Sequence, residues 1–315
     1  MRILYMGTPE FAVEPLRALY ASGEEIAAVV TQTDKPSGRG HRMTPPPVKV
    51  YAEARGIPVY QPATLRDGSF QPVIEELAPE LVVVSAYGKI LPHGIIAYPK
   101  YGCINIHGSL LPEYRGAAPI QRALIDGRRT TGITSMLMDD GLDTGDMLIR
   151  REVGIGPDED FGSLCARMAE AGARVVIETL EALKAGTLKR TPQSESDIAP
   201  TYAAKIVKED CVMDFSLPAQ KLHDLIRGLS PSPLARTSAR GRLLKVVSSA
   251  VAGDGEPVKP GTAVRAGGDG ITVACGAGGN GRLRLLSVIP EGRGCMSAAD
   301  FVRGRGVSEG DVLGR

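Results

Sequence analysis

The chain has 315 residues, 43% of them hydrophobic and 23% charged, which is enough for two domains of ordinary size and too apolar for a disordered chain. Its 37 basic and 36 acidic side chains leave a net charge of +1, so bulk charge names no partner. Residues 208–315 hold 15 basic and 11 acidic side chains, a net +4 that leaves −3 for the rest, a basic bias far below that of a typical nucleic-acid binder.

The five cysteines are dispersed and odd in number, with no CxxC, and the four histidines are equally scattered. That spacing argues for reduced, buried thiols and against a zinc site. The N-terminal apolar run is too short for a signal peptide, and no stretch reaches the roughly 18 apolar residues of a membrane helix. A cytoplasmic protein is expected.

In chain order, short β-branched runs at residues 3–6, 27–31, 81–86, 103–107 and 133–138 read as strands. Between them, residues 11–22, 48–55, 71–77 and 119–126 carry helical spacing. Leu81-Val82-Val83-Val84 is apolar on both faces, which suits a sheet covered on both sides. The alternation predicts an open, mostly parallel α/β sheet whose ligands bind beyond the C-terminal strand ends. A long amphipathic helix is expected over residues 161–185, closed by Gly186. Residues 187–204, polar and rich in Ser, Thr and Pro, read as a linker. Beyond residue 208, glycine clusters separate short strands at residues 243–247, 271–274 and 283–288, which suggests a small β-barrel or sandwich.

The first turn, Gly7-Thr8-Pro9-Glu10-Phe11-Ala12, lacks the GxGxxG spacing of dinucleotide binders, and a Gly turn with Pro9 opening a helix accounts for it. The loop from Thr33 to Pro47 holds Lys35, Arg39, His41 and Arg42, either a solvated basic loop or a phosphate contact. In Cys103-Ile104-Asn105-Ile106-His107-Gly108, alternation puts Asn105 and His107 on one strand face, about 7 Å apart along it. An amide donor beside an imidazole suits attack on a carbonyl-type carbon, though both could equally satisfy a buried strand end. The segment Asp139-Asp140-Gly141-Leu142-Asp143-Thr144-Gly145-Asp146 fails EF-hand spacing, and reads as an acidic turn or as the source of a carboxylate for His107. No GxSxG elbow is present.

At these motifs, together with Ala86-Tyr87-Gly88, Leu110-Leu111-Pro112, Tyr114-Arg115-Gly116-Ala117-Ala118-Pro119 and Thr201-Tyr202-Ala203-Ala204-Lys205, the chain resembles the methionyl-tRNA formyltransferase family along essentially its whole length. The resemblance implies a Rossmann-like, mostly parallel sheet (the formyltransferase fold) over residues 1–189. It also implies a linker at 190–207 and a smaller OB-like β-barrel over 208–315 that helps hold tRNA. Its implied activity is transfer of the formyl group of 10-formyltetrahydrofolate, the cosubstrate, to the α-amine of initiator methionyl-tRNA for translation initiation. Asn105, His107 and Asp143 are the implied catalytic residues, with a tetrahedral centre stabilised by Asn105 and His107. Ser109, Leu110, Leu111, Pro112, Tyr87, Gly88 and Ile90 are the implied folate contacts, and Lys35, Arg39, His41 and Arg42 the tRNA contacts. No metal, DNA or membrane partner is expected, and the chain is expected to be a monomer. Family members carry tryptophans near residues 229–237 and this chain has none, which leaves the C-terminal tRNA contacts unassigned. The nearest alternative is formyl transfer to a small amine, such as an amino sugar nucleotide or glycinamide ribonucleotide.

Overall fold

The computed structural model describes residues 1–37 and 42–314. The chain forms two compact units. The first comprises residues 1–119, 130–154 and 165–203, and the second comprises residues 120–129, 155–164 and 204–315.

Among the described residues the first unit is built on nine strands: β1 (Arg2–Gly7), β2 (Glu25–Val30), β3 (Lys35–Ser37), β4 (Arg42–Thr44), β5 (Val59–Tyr60), β6 (Leu81–Ser85), β7 (Cys103–His107), β8 (Thr130–Leu137) and β9 (Met147–Gly154). Seven of them form one sheet in the order β5-β2-β1-β6-β7-β8-β9, while β3 and β4 pair as a separate hairpin. From β5 to β7 the neighbours run parallel, and β8 and β9 add an antiparallel edge. Every residue of β6 is buried, as its unbroken Val run requires in a parallel sheet covered on both faces. The edges are blunted differently. β5 is two residues long, and β9 turns Arg150, Arg151 and Glu152 to solvent.

Helices α1 (Val13–Ala21), α2 (Pro47–Glu53), α3 (Gln71–Leu77) and α4 (His93–Ala97) belong to this unit, followed in the chain by α5 (Pro119–Ile125) and α6 (Phe161–Lys184). One core packs Leu4, Met6, Val82 and Val84 against Phe70, Ile74, Tyr87 and Ile95. Gly172 of α6 lies against Ile106 and Pro15, so this helix covers β7 at close range. A buried Ser135–Thr179 hydroxyl bond of 2.8 Å ties the same helix to β8.

Residues 187–204 are irregular, but they are stitched to the first unit. Thr191 and Met147 exchange backbone hydrogen bonds of 2.9 Å in each direction. Arg115 N donates to Thr201 O at 2.9 Å and Ala203 N to Arg115 O at 2.7 Å.

In the second unit, β10 (Ala235–Ala239), β11 (Arg242–Asp254), β12 (Ala263–Gly267), β13 (Gly270–Cys275), β14 (Gly281–Pro290) and β15 (Met296–Ser297) form a six-stranded antiparallel sheet. Its order is β10-β11-β14-β13-β12, with β15 on β14. Helices α7 (Ala219–Leu229) and α8 (Ala298–Arg303) join the core, where Leu222, Ile226 and Leu229 pack with Val246, Val273, Leu285 and Val288. Residues 120–129 belong here because Gly228 of α7 sits against Ile125 and Gln121, and Lys221 Nζ reaches Asp126 O at 3.3 Å. No helix among the described residues is long and apolar enough to cross a membrane.

Candidate active site

β1 is the strand from which the order reverses, with β2 on one side and β6 on the other, and the loops leaving the parallel strands gather at their C-terminal ends. β7 contributes two polar side chains there. Asn105 lies opposite Val84 of β6 and Met136 of β8, and His107 opposite Thr134. Asn105 is half-buried, and the His107 side chain is only 6% exposed.

The His107 ring is oriented by a carbonyl. Its Nε2 lies 2.9 Å from Tyr114 O, which can only accept, so Nε2 carries the proton and donates. That leaves Nδ1 toward Asp143, 3.7 Å from Oδ1. The Asp143 side chain is 12% exposed, so carboxylate and imidazole face each other with little access to water. Asp143 Oδ2 accepts from Gly116 N–H at 2.7 Å, and Oδ1 lies 3.4 Å from Asn105 Nδ2, a long contact that leaves the amide free to donate elsewhere. Amide, imidazole and carboxylate, 36 to 38 residues apart at the extremes, thus meet at the end of β7.

Three loops build this corner, and each holds one non-glycine residue at positive φ: Ala86 (+45°) after β6, Tyr114 (+57°) after β7 and Asp143 (+53°) after β8. Such backbones persist only where the surroundings over-determine them. Gly116 explains part of that constraint. At φ +117° it passes so close to Ala203 that a Cβ would sit 2.8 Å from the Ala203 carbonyl oxygen, and only glycine fits there. Leu111 N donates to Thr134 Oγ1 at 3.1 Å, and Thr134 Oγ1 donates to Ser109 O at 2.7 Å, which fastens the loop to β8.

The remaining sequence-predicted residues fall into three groups. Ser109, Leu111 and Pro112 are buried, Leu110 half-buried. Ser109 Oγ donates to Glu113 O at 2.6 Å, and Leu111 packs with Met136 and Met147, so these two side chains build the loop itself. Tyr87 and Gly88 follow β6. Tyr87 is buried, with its carbonyl accepting from Thr8 Oγ1 (3.0 Å) and Gln32 Nε2 (2.9 Å), and Ile90 is 62% exposed. Burial of the ring pushes the Tyr87 phenol up to about 12. Lys35 stands on the β3–β4 hairpin, exposed, with Nζ donating to Gln32 Oε1 at 2.6 Å. Arg42 begins β4, whereas Arg39 and His41 lie outside the described residues.

Nearby, Lys89 Nζ donates to Pro62 O (2.6 Å) and Ala63 O (2.8 Å); burial first, and then Lys35, hold its pKa below the usual lysine range. His93 Nδ1 meets both Asp140 oxygens at 3.0 and 3.1 Å, joining the loop after β8 to α4. The exposed apolar side chains of Ile90 and Leu142 flank that junction in sequence, on the two segments it ties together. A cavity of about 420 Å³ in the same unit is lined by Arg115, Gln193, Ser194 and residues 196–200. Sequence reasoning missed Gly116, Thr134, Arg115 and Gln193. Of these, Arg115 and Gly116 stand within a quoted motif, and Gln193 carries no periodic signal at all.

An open α/β sheet that gathers an amide, an imidazole and a carboxylate at one strand end, joined to an antiparallel β domain, defines a class, and similarity in sequence identifies that class as the formyl transferases. Residues 1–180 match the formyl transferase family and residues 205–306 the formyl transferase C-terminal domain. The methionyl-tRNA formyltransferase of Geobacter metallireducens is 48% identical over 314 residues, covering 100% of this chain and 99% of its own. That of Pelotomaculum thermopropionicum is 44% identical over 315 residues, with 100% and 99% covered. The chain belongs to the methionyl-tRNA formyltransferase family. Among solved structures, HypX from Aquifex aeolicus in complex with tetrahydrofolic acid shares the fold at a TM-score of 0.66 and 16% identity, over 97% of this chain and 47% of that one. The N-formyltransferase of Helicobacter canadensis, in complex with folinic acid and dTDP-3-aminofucose, does so at 0.65 and 16%, over 90% and 98%.

Proposed function

We propose that the protein transfers the formyl group of 10-formyltetrahydrofolate to the α-amine of initiator methionyl-tRNA, in translation initiation, with Asn105, His107 and Asp143 as its catalytic residues. The observation that carries this is the meeting of those three side chains at the end of β7. A folate fits the corner by its chemistry. The exposed Ile90 and Leu142 offer apolar surface to a flat ring, beside backbone of the loop that ends β6. The donor, when bound, supplies an acyl carbon open to attack by an amine.

The chain's own groups then have separable tasks. Asn105 Nδ2, only loosely engaged by Asp143, donates to the oxygen on which negative charge develops, where one preorganised donor contributes about 3–4 kcal/mol. His107 Nε2 is committed to Tyr114 O, so Nδ1 is the atom that moves a proton. It takes the proton from the attacking amine, and the Asp143 carboxylate stabilises the imidazolium so formed. The proton then goes to the departing nitrogen, and protonated Nδ1 can hydrogen-bond the same oxygen on the way.

In this reading the first unit, with residues 190–203 packed into it, is the catalytic domain, and the second unit, which takes in residues 120–129 and 155–164 besides 204–315, is the tRNA-binding domain. Lys35 and Arg42, on the β3–β4 hairpin, approach the acceptor end of the tRNA, as do Arg39 and His41, which lie outside the described residues. The protein acts as a cytoplasmic monomer.

The test is formyl transfer from 10-formyltetrahydrofolate to charged initiator tRNA, charged elongator tRNA and a nucleotide amino sugar in parallel. Preference for initiator methionyl-tRNA is expected, and preference for the small amine would overturn the acceptor assignment. His107→Ala should lower turnover about 10²–10⁴-fold, and near-parental turnover would remove His107 from the mechanism.

A further inference from the structure

Asp143 is held in place by a side chain that lies 50 residues away, in the stretch that reads as a linker. The backbone pairing of Thr191 with Met147 brings that stretch to the foot of β9, and Pro192 turns it into a single helical turn at Gln193–Glu195. Gln193 is 6% exposed. Its Nε2 donates to Asp143 O and to Gly145 O, both at 2.8 Å. Its Oε1 accepts from Arg115 Nε at 3.0 Å and Nη2 at 2.7 Å. Carbonyl oxygens only accept and a guanidinium only donates, so the orientation of the amide is forced and every hydrogen-bonding position on it is filled.

The next residue after Arg115 closes the arrangement. Gly116 N–H holds Asp143 Oδ2 at 2.7 Å, so Asp143 is gripped at its backbone by Gln193 and at its carboxylate by Gly116. Arg115 connects the two grips. Both grips hold Asp143 at a φ of +53°, a left-handed conformation that Asp adopts more readily than most side chains but that still has to be fixed by its surroundings. Asp143 O and Gly145 O both face Gln193 Nε2, on the same loop whose Asp143 Oδ1 lies 3.7 Å from His107 Nδ1.

We propose that Gln193 is a positioning residue for the reaction: it fixes the loop 139–146 so that the Asp143 carboxylate stays within reach of the His107 imidazole. This rests on the reading of Asp143 as the partner of His107. No other side chain serves equally. Leucine fills the volume and makes none of the four bonds. Glutamate keeps Arg115 but turns an acceptor toward two carbonyl oxygens, and asparagine is one methylene too short to span from Arg115 to the loop.

The test uses the full-length protein as Gln193→Leu, Gln193→Glu, Asp143→Ala and the double variant Gln193→Leu with Asp143→Ala, assayed with 10-formyltetrahydrofolate and methionyl-tRNA. Gln193→Leu should lower kcat about 10²-fold, the scale of a 1 Å misplacement, with KM for both substrates within about threefold. In the Asp143→Ala background the same substitution should change kcat by less than about threefold, since residues that act as a unit are not additive. If Gln193→Leu yields no folded protein, Gln193→Glu takes its place, with the same expected loss. An equal loss in both backgrounds, or unchanged kcat in a folded Gln193 variant, overturns the proposal. Unchanged kcat in Asp143→Ala alone would instead refute the catalytic reading of Asp143, and the role of Gln193 with it.

Discussion

Replacing Gly145 with alanine should disable the enzyme without unfolding it. A Cβ at this position would lie 1.8 Å from Leu137 O, 2.9 Å from Leu137 C and 3.3 Å from Asp139 N, all backbone atoms that no rotamer change can move. A carbon and an oxygen do not approach much inside 3.0 Å, so the loop must open by roughly 1.2 Å at its neck. The neck is where Leu137 N donates to Asp146 O at 2.9 Å, and where Gly145 O accepts from Gln193. An opening of that size breaks one or both bonds and carries Asp143, two residues earlier, away from His107 Nδ1. Misplacement by about 1 Å reduces turnover about 10²-fold, and that is the loss expected in kcat. The damage is confined to one loop, and two lost hydrogen bonds come to about 1–3 kcal/mol, so the protein should remain folded at 25 °C. Gly154→Ala is the matched control. Nothing lies within 4 Å of its Cβ, so stability should stay within about 0.5 kcal/mol and kcat should not change. Steady-state kinetics with a thermal melt on each variant decides the matter. A Gly145→Ala protein with kcat within twofold of the parent would show that the loop neck does not position the carboxylate.

Arg39→Ala should raise KM for methionyl-tRNA about tenfold while leaving KM for the folate donor unchanged, and it should reduce the slope of log K against log salt by about 1; an equal rise in both KM values would contradict the assignment of this loop to tRNA. Asp210 offers a pH test in the second unit. Its carboxylate accepts from Val207 N–H at 3.0 Å and from Arg122 at 2.6 Å, and these two, the backbone donor first, hold its pKa below the usual carboxylate range. A depressed folded-state pKa contributes stability above the unfolded-state pKa that is lost as pH falls through the folded value. Asp210→Asn should therefore cost about 1–2 kcal/mol by denaturant titration at pH 7, and the difference should close in acid; a gap independent of pH would refute the assignment.

What could be read in the sequence was whatever burial writes into side-chain periodicity. The all-apolar run of β6 and the alternation of β7 lie where the patterns indicate, and the alternation alone puts Asn105 and His107 on one face. The hairpin of β3 and β4 is hidden, because strands of three residues containing Pro36 do not repeat often enough to show a period. β9 is hidden for another reason. As an edge strand it exposes Arg150, Arg151 and Glu152 in succession, so its middle looks like a loop. Residues 187–204 read as a tether because many of their attachments run through the backbone, at Thr191, Thr201 and Ala203, where no side-chain type is demanded, and because the one amide that also anchors them, Gln193, stands in no periodic pattern.

The same distinction explains why the proposed catalytic corner is only partly visible in the sequence. Asn105 and His107 sit on a strand, and a strand's geometry follows from its sequence. Asp143 sits on a loop at positive φ, and nothing in Gly141-Leu142-Asp143-Thr144 states that the third residue will adopt a conformation that glycine or asparagine takes more easily. The conformation is imposed from outside by Gly116 N–H and by the Gln193 amide, 27 and 50 residues away. Ala86 and Tyr114 make the same point on the two neighbouring loops. Where two residues at positive φ, Tyr114 and Asp143, hold one imidazole from either side, the reactive geometry is a property of tertiary contacts, and it should be most sensitive to substitutions in those contacts, at Gly116, Gln193 and Gly145, none of which carries a group that reacts.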